Sequence, residues 1–118
     1  MSRTNELTAA IIRYMTLIGW RLVWRQNNHA TPIRKGVKIV GMRKMPARSR
    51  MGVPDILAVQ PGTGRLWGIE IKTGKDRLRE EQKQFRDDLT ASGGVYLVAG
   101  SVGDVMDVLN AEKKMGAK

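Results

Sequence analysis

The chain contains no cysteine. Disulfides, zinc–thiolate sites and thiol nucleophiles are therefore excluded. A single histidine, His29, cannot supply a cluster of imidazole ligands. Aromatic residues make up 5% of the chain, leaving few rings on strands of the kind that RNA-binding surfaces stack on bases. No apolar run is long enough to span a membrane. The N-terminus lacks the basic segment, apolar core and small-residue cleavage site of a signal peptide. Internal repeats and low-complexity tracts are absent. The expectation is a soluble, cytoplasmic protein: one domain of 118 residues with one core, and a basic tail from about residue 113.

Acidic charge is missing over a long stretch. From Leu7 to Pro54 there is no Asp or Glu. The same span carries Arg13, Arg21, Arg25, Arg34, Lys35, Lys38, Arg43, Lys44, Arg48 and Arg50, within a chain of net charge +10. An uncompensated basic field points to a polyanionic partner. A generally basic protein or an anionic lipid surface would give the same composition. Nucleic acid is favoured because the tract leads directly into two carboxylates.

Those carboxylates lie in the most regular part of the chain. Gly52-Val53-Pro54-Asp55-Ile56-Leu57-Ala58-Val59-Gln60 and Arg65-Leu66-Trp67-Gly68-Ile69-Glu70-Ile71-Lys72 flank the turn Pro61-Gly62-Thr63-Gly64, which is a hairpin pattern. Folding about the Gly62–Thr63 midpoint sets Asp55 opposite Glu70, so the two share a face. Lys72 shares that face at period two, while Ile69 and Ile71 point into a core. A plain solvated charge cluster is the alternative. Against it, Glu70 and Lys72 interrupt a run suited to burial, and Pro54 holds Val53 extended just before the acid. Two acids and a lysine at one end of a strand pair suit a hard divalent cation beside a phosphate.

Around the hairpin, Thr4 is expected to cap a helix running to about Gly19, with Leu7, Ile11, Tyr14 and Ile18 as its buried stripe. Trp20 to Arg25 and Val37 to Met42 read as strands, and Asn27 to Thr31 and Met45 to Met51 as loops. A helix from about Leu78 to Ala91 is followed by a strand, Val95 to Ala99. Ser101 caps a last helix carrying Val105 and Leu109. Strand, helix, strand is a crossover unit, so part of the sheet should be parallel. Leu78, Gln82, Phe85 and Leu89 fall within one narrow arc, which puts the Gln82 amide on the face packed against the sheet. There it needs a polar partner, and the acid pair is the nearest candidate. Glu6 is open to two readings, a helix-dipole acid or a contributor to the acid site. Arg25 and Asn27 are open to two readings: contact with phosphate or bracing of the site, and ordinary strand-end polarity. Trp20, Trp24 and Trp67 read as core residues rather than stacking platforms.

Glu6, Arg25-Gln26-Asn27, Gly52-Val53-Pro54-Asp55, Gly68-Ile69-Glu70-Ile71-Lys72, Gln82 and Gly93-Gly94-Val95 follow one another in an order that resembles the VRR-NUC (virus-type replication-repair nuclease) domain of the PD-(D/E)xK superfamily. The resemblance spans nearly the whole chain. It implies an α/β restriction-endonuclease-like core with a central mixed sheet flanked by helices. It also implies a DNA nuclease dependent on Mg²⁺ or Mn²⁺. Asp55, Glu70 and the backbone carbonyl of Ile71 would hold the metal. Lys72 would stabilise charge or orient water, and Gln82 and Glu6 would position the site. Arg25, Asn27, Arg34, Lys35, Lys38, Arg43, Lys44, Arg48 and Arg50 are the expected DNA contacts. Small stand-alone relatives imply a homodimer acting on branched DNA such as four-way junctions. The alternatives are a non-catalytic basic DNA-binding module, an RNA-binding protein, and a monomeric nicking nuclease directed by a partner.

Overall fold

Helix α1 (Arg3–Leu17) opens the chain, followed by β1 (Leu22–Arg25), β2 (Thr31–Lys35), β3 (Lys38–Arg43), β4 (Ile56–Val59), β5 (Leu66–Ile71), α2 (Glu80–Ala91), β6 (Val95–Ala99) and α3 (Val102–Gly116). The structure is a computed structural model that describes residues 3–26, 31–35, 38–43 and 50–116, with side chains for 3–26 and 50–113. Among the described residues, no helix is long and apolar enough to cross a membrane.

The α1 terminus explains how the chain enters the sheet. Gly19 adopts φ 109°, a left-handed conformation that glycine takes without steric cost. Its N–H donates to the Thr16 carbonyl and that of Trp20 donates to the Met15 carbonyl, the two bonds of a Schellman ending. Met15 and Trp20 thereby meet in the core. Of the expected stripe Leu7, Ile11, Tyr14 and Ile18, Ile11 is buried, and Thr8 and Met15 complete the buried face. Leu7 and Tyr14 flank it, and Ile18 lies past the helix end, 48% exposed. Thr8 can be buried because its hydroxyl donates to the Thr4 carbonyl at 2.8 Å. Thr4 is inside the helix, not at its cap.

The main sheet runs β1-β4-β5-β6. β4 and β5 form the expected hairpin, with Ile56 opposite Ile69 and Val59 opposite Leu66. Gln60 N–H donates to the Arg65 carbonyl at the turn. β5 and β6 are parallel, joined through α2, as the crossover pattern requires. β1 and β6 are the two edges.

Alternation divides the sheet into two unlike faces. Ile56, Ala58, Trp67, Ile69, Ile71, Leu97 and Ala99 pack with α1 and α3 into the core. Trp20 and Trp67 meet edge to face there, with ring centroids 5.2 Å apart. The opposite face carries Asp55, Gly68, Glu70 and Tyr96, and α2 covers it over β5 and β6. β5 is therefore buried on both sides, charge included. Trp24 departs from the core expectation. It is 39% exposed, its indole N–H donating to the Gln26 side chain.

β2 and β3 pair as a separate two-stranded ribbon. β2 has no counterpart among the expected strands, and it carries Pro32, a residue that sheets confine to edges. In a two-stranded ribbon each strand has one unpaired edge, where proline removes no ladder bond. Helix α2 begins at Glu80, so Leu78 precedes it rather than forming its first turn.

Candidate active site

Asp55 sits one residue before β4, and its position follows from the hairpin register. Extending the Ile56–Ile69 pairing by one rung puts Asp55 opposite Glu70. Its backbone carbonyl accepts the Gln26 N–H at 2.7 Å, tying it to the end of β1. Its Oδ2 accepts the Ile71 N–H at 2.8 Å. The side chain thus supplies the rung that the preceding residue, Pro54, does not continue. The N–H and C=O of one strand residue face the same side, so the Ile71 carbonyl also faces the Asp55 side of β5.

Glu70 is 4% exposed. The Gln82 amide spans from helix to acid: its Nε2 donates to Glu70 Oε1 at 3.1 Å, and its Oε1 accepts the Arg79 N–H at 2.8 Å. One side chain therefore satisfies an otherwise unpaired helix N-terminal donor and holds the carboxylate. Burial pushes the Glu70 carboxyl up to about 8, reinforced by the hydrogen bond and the charge of Asp55 beside it, and opposed by Lys72 and Arg79. Two carboxyl groups set opposite each other, one of them buried, mark a place where positive charge is favoured.

Lys72 follows directly on β5, half-buried, its backbone N–H on the Ala99 carbonyl at 3.1 Å. It lines an open cleft of about 600 Å³ together with Arg3, Thr73, Gly74, Asp76, Val98, Gly100 and Asp104. The acid pair, Lys72 and this cleft lie at the same end of the sheet.

Gly52 fixes the approach to Asp55. It adopts φ +75°, and a Cβ there would stand 2.1 Å from the Glu81 carbonyl oxygen. The loop before Asp55 and the first turn of α2 touch backbone to backbone. Gly52→Ala is expected to cost at least about 2 kcal/mol of stability, from the left-handed conformation and the clash together. Urea unfolding measures this, and a midpoint equal to wild type would contradict the contact.

The remaining candidates are spread more widely. Glu6 is exposed in the first turn of α1, a turn at the same sheet end because Asn5 bonds the Arg25 guanidinium. Arg25 pairs with Ile56, so it shares the α1 face, opposite the acid pair. Arg50 is held on α2 by an ion pair with Asp88 and stands over the Phe85 ring at 5.5 Å. Its guanidinium lowers the Asp88 carboxyl below the usual range. Arg34, Lys35, Lys38 and Arg43 lie on the β2–β3 ribbon. Asn27, His29, Lys44 and Arg48 lie outside the described residues. Two neighbours of the acid pair escaped the sequence reading. Arg79 contributes charge from the α2 N-cap, and Tyr96 comes close through the β5–β6 register. Neither belongs to a spacing motif.

A parallel-containing sheet with an acid pair and a lysine at one end is the plan of the restriction-endonuclease-like folds. The family model for the VRR-NUC domain matches residues 21–103. A solved structure described as a VRR_NUC domain protein superimposes with a TM-score of 0.63 at 17% identity, covering 96% of this chain and 89% of that one. A comparison with curated proteins gives no match. The chain belongs to the VRR-NUC family, a family of nuclease domains.

Proposed function

We propose that the protein is a metal-dependent deoxyribonuclease that hydrolyses phosphodiester bonds at the Asp55–Glu70–Lys72 site. The observation that carries this reading is the hairpin register that sets Asp55 opposite the buried Glu70, with Lys72 two residues further along. The donor set suits Mg²⁺ or Mn²⁺. Asp55, Glu70 and the Ile71 carbonyl are all oxygen donors. Among the described residues, no group of three or more His, Cys, Asp or Glu is placed to hold a metal. A site with two carboxylates leaves room for water and substrate phosphate around the ion, as Mg²⁺ sites commonly do. A bound ion supplies Lewis-acid polarisation of the scissile phosphate and a water of lowered pKa.

The chain's own groups do the rest. Gln82 holds Glu70 in place from α2. Lys72 presents an ammonium that stabilises developing charge or orients the attacking water. Glu6, at the same end of the sheet, is proposed to support the site. The tract from Arg25 to Arg50 is proposed to grip the DNA backbone without reading sequence. Lys38 and its ribbon neighbours would contribute outside the main sheet.

The substrate is proposed to be branched DNA, cut by a homodimer, because one acid pair cuts one strand and a two-fold axis supplies a matched second site. Leu17, Ile18, Leu22 and Trp24, all exposed around the end of α1 and edge strand β1, support an apolar contact there. The test is cleavage of linear, flapped and four-way DNA with Mg²⁺ or EDTA, paired with light scattering. Cleavage only with metal is expected, faster on the four-way junction, by a species twice the 13.2 kDa chain. Full activity in EDTA would overturn the mechanism. A monomer cutting linear and branched DNA equally would overturn the dimer.

A further inference from the structure

Tyr96 is half-buried on the sheet face that carries the acid pair, and the mechanism above does not use it. It stands opposite Gly68 in the parallel β5–β6 register, one same-face position from Glu70. The ring edge lies at ordinary contact distance from the Gly68 Cβ position, where Pro54 and Leu89 pack more closely still. A Cβ on Gly68 would meet Pro54 Cγ at 2.7 Å, Leu89 Cδ2 at 3.2 Å and Tyr96 Cδ2 at 3.5 Å. The ring thus lies on the sheet face that α2 covers. Its hydroxyl is buried and, among the described residues, has no hydrogen-bond partner. A buried unpaired hydroxyl is destabilising, whereas phenylalanine in the same space is not.

The surroundings of the hydroxyl are those of the acid pair. After burial, the charge of Glu70 is the largest influence raising the phenol's proton affinity. Asp55 acts in the same sense, and Arg86 opposes them. A carboxylate ionised to bind metal accepts up to four hydrogen bonds. Gln82 supplies one to Glu70. The phenol O–H is a donor at the same face whose hydrogen swings about the ring–oxygen bond.

Resting on the nuclease reading, we propose that Tyr96 is a positioning residue, its hydroxyl donating to the Glu70 carboxylate, directly or through one water, when that carboxylate holds a divalent cation. Ligating carboxylates need outer donors to keep their orientation, and losing such a donor costs about 10–100-fold in metal affinity or activity. A purely structural Tyr96 would leave Mn²⁺ affinity unchanged on removal of the hydroxyl, so metal affinity separates the two roles where stability does not.

The experiment compares Tyr96→Phe and Glu70→Gln with wild type. Mn²⁺ affinity is read by titration calorimetry, stability by thermal melting without metal, and DNA cleavage against Mn²⁺ concentration. For Tyr96→Phe the expected result is an unchanged or higher melting temperature, a Kd for Mn²⁺ raised about tenfold or more, and cleavage recovered at high Mn²⁺. Glu70→Gln is expected to lose Mn²⁺ binding. Wild-type Mn²⁺ affinity and cleavage in Tyr96→Phe, with binding lost in Glu70→Gln, would overturn the role of Tyr96 and leave the nuclease reading standing. Wild-type Mn²⁺ affinity in Glu70→Gln would overturn both.

Discussion

Glu70→Gln is expected to lower DNA cleavage by about 10³-fold or more while leaving a folded protein. The substitution suits the local geometry. The glutamine oxygen accepts the Gln82 amide as Glu70 Oε1 does. Its nitrogen can donate toward Asp55, which the hairpin register sets opposite. Only the negative charge is removed. Asp55→Asn keeps an oxygen for the Ile71 N–H and is expected to be equally inactive. Lys72→Ala should lose cleavage but keep DNA binding, because the basic tract lies elsewhere. Single-turnover cleavage, circular dichroism and a binding titration check the three variants together. An active Glu70→Gln protein, or an inactive one that has lost its helical signal, would contradict the assignment.

The hairpin was legible in the sequence because its cues are local. Pro61 to Gly64 sets the turn, and two apolar runs of matched length fix the register to within one residue. A slip by one would have turned Ile69 and Ile71 outward and Glu70 into the core, so the hydrophobic pattern also specifies which face carries the acids. Gln82 was legible for a similar reason: a polar residue among Phe85 and Leu89 on a packed arc calls for a partner. Elsewhere the deciding contacts are distant in sequence. Arg25 is turned toward α1 by Asn5, and Arg50 is drawn onto α2 by Asp88 and Phe85. Nothing in the basic tract itself separates these two arginines from free ones. Thr8 is polar, yet it is buried because its hydroxyl is satisfied within its own helix. Tyr96 comes close to Glu70 only once the parallel register is known, and that register is set by how α2 packs rather than by any spacing motif.

The metal-free protein is expected to lose stability as pH rises from about 4.5 to about 8. The ordinary carboxyl value for Glu70 is 4.5, and the folded site raises it to about 8. Below the lower value the group is protonated in both states and the favourable contribution is complete. Between the two values, unfolding releases a proton, so each pH unit removes up to about 1.4 kcal/mol. Above the folded value the loss levels off, after a total of a few kcal/mol. Most hydrogen-bonded carboxylates in proteins shift the other way and lose stability in acid. Here burial beside Asp55 reverses the sign. Glu70→Gln carries no titrating group at this position and should flatten the slope. Metal and proton compete for the same oxygens, so Mg²⁺ should stabilise wild type increasingly from pH 5 to about 8, with apparent affinity rising about tenfold per unit before levelling. Urea unfolding at fixed pH steps, with EDTA or Mg²⁺, reads both effects. Parallel profiles for wild type and Glu70→Gln in EDTA would show that Glu70 ionises at its ordinary value and that the acid pair is not strained.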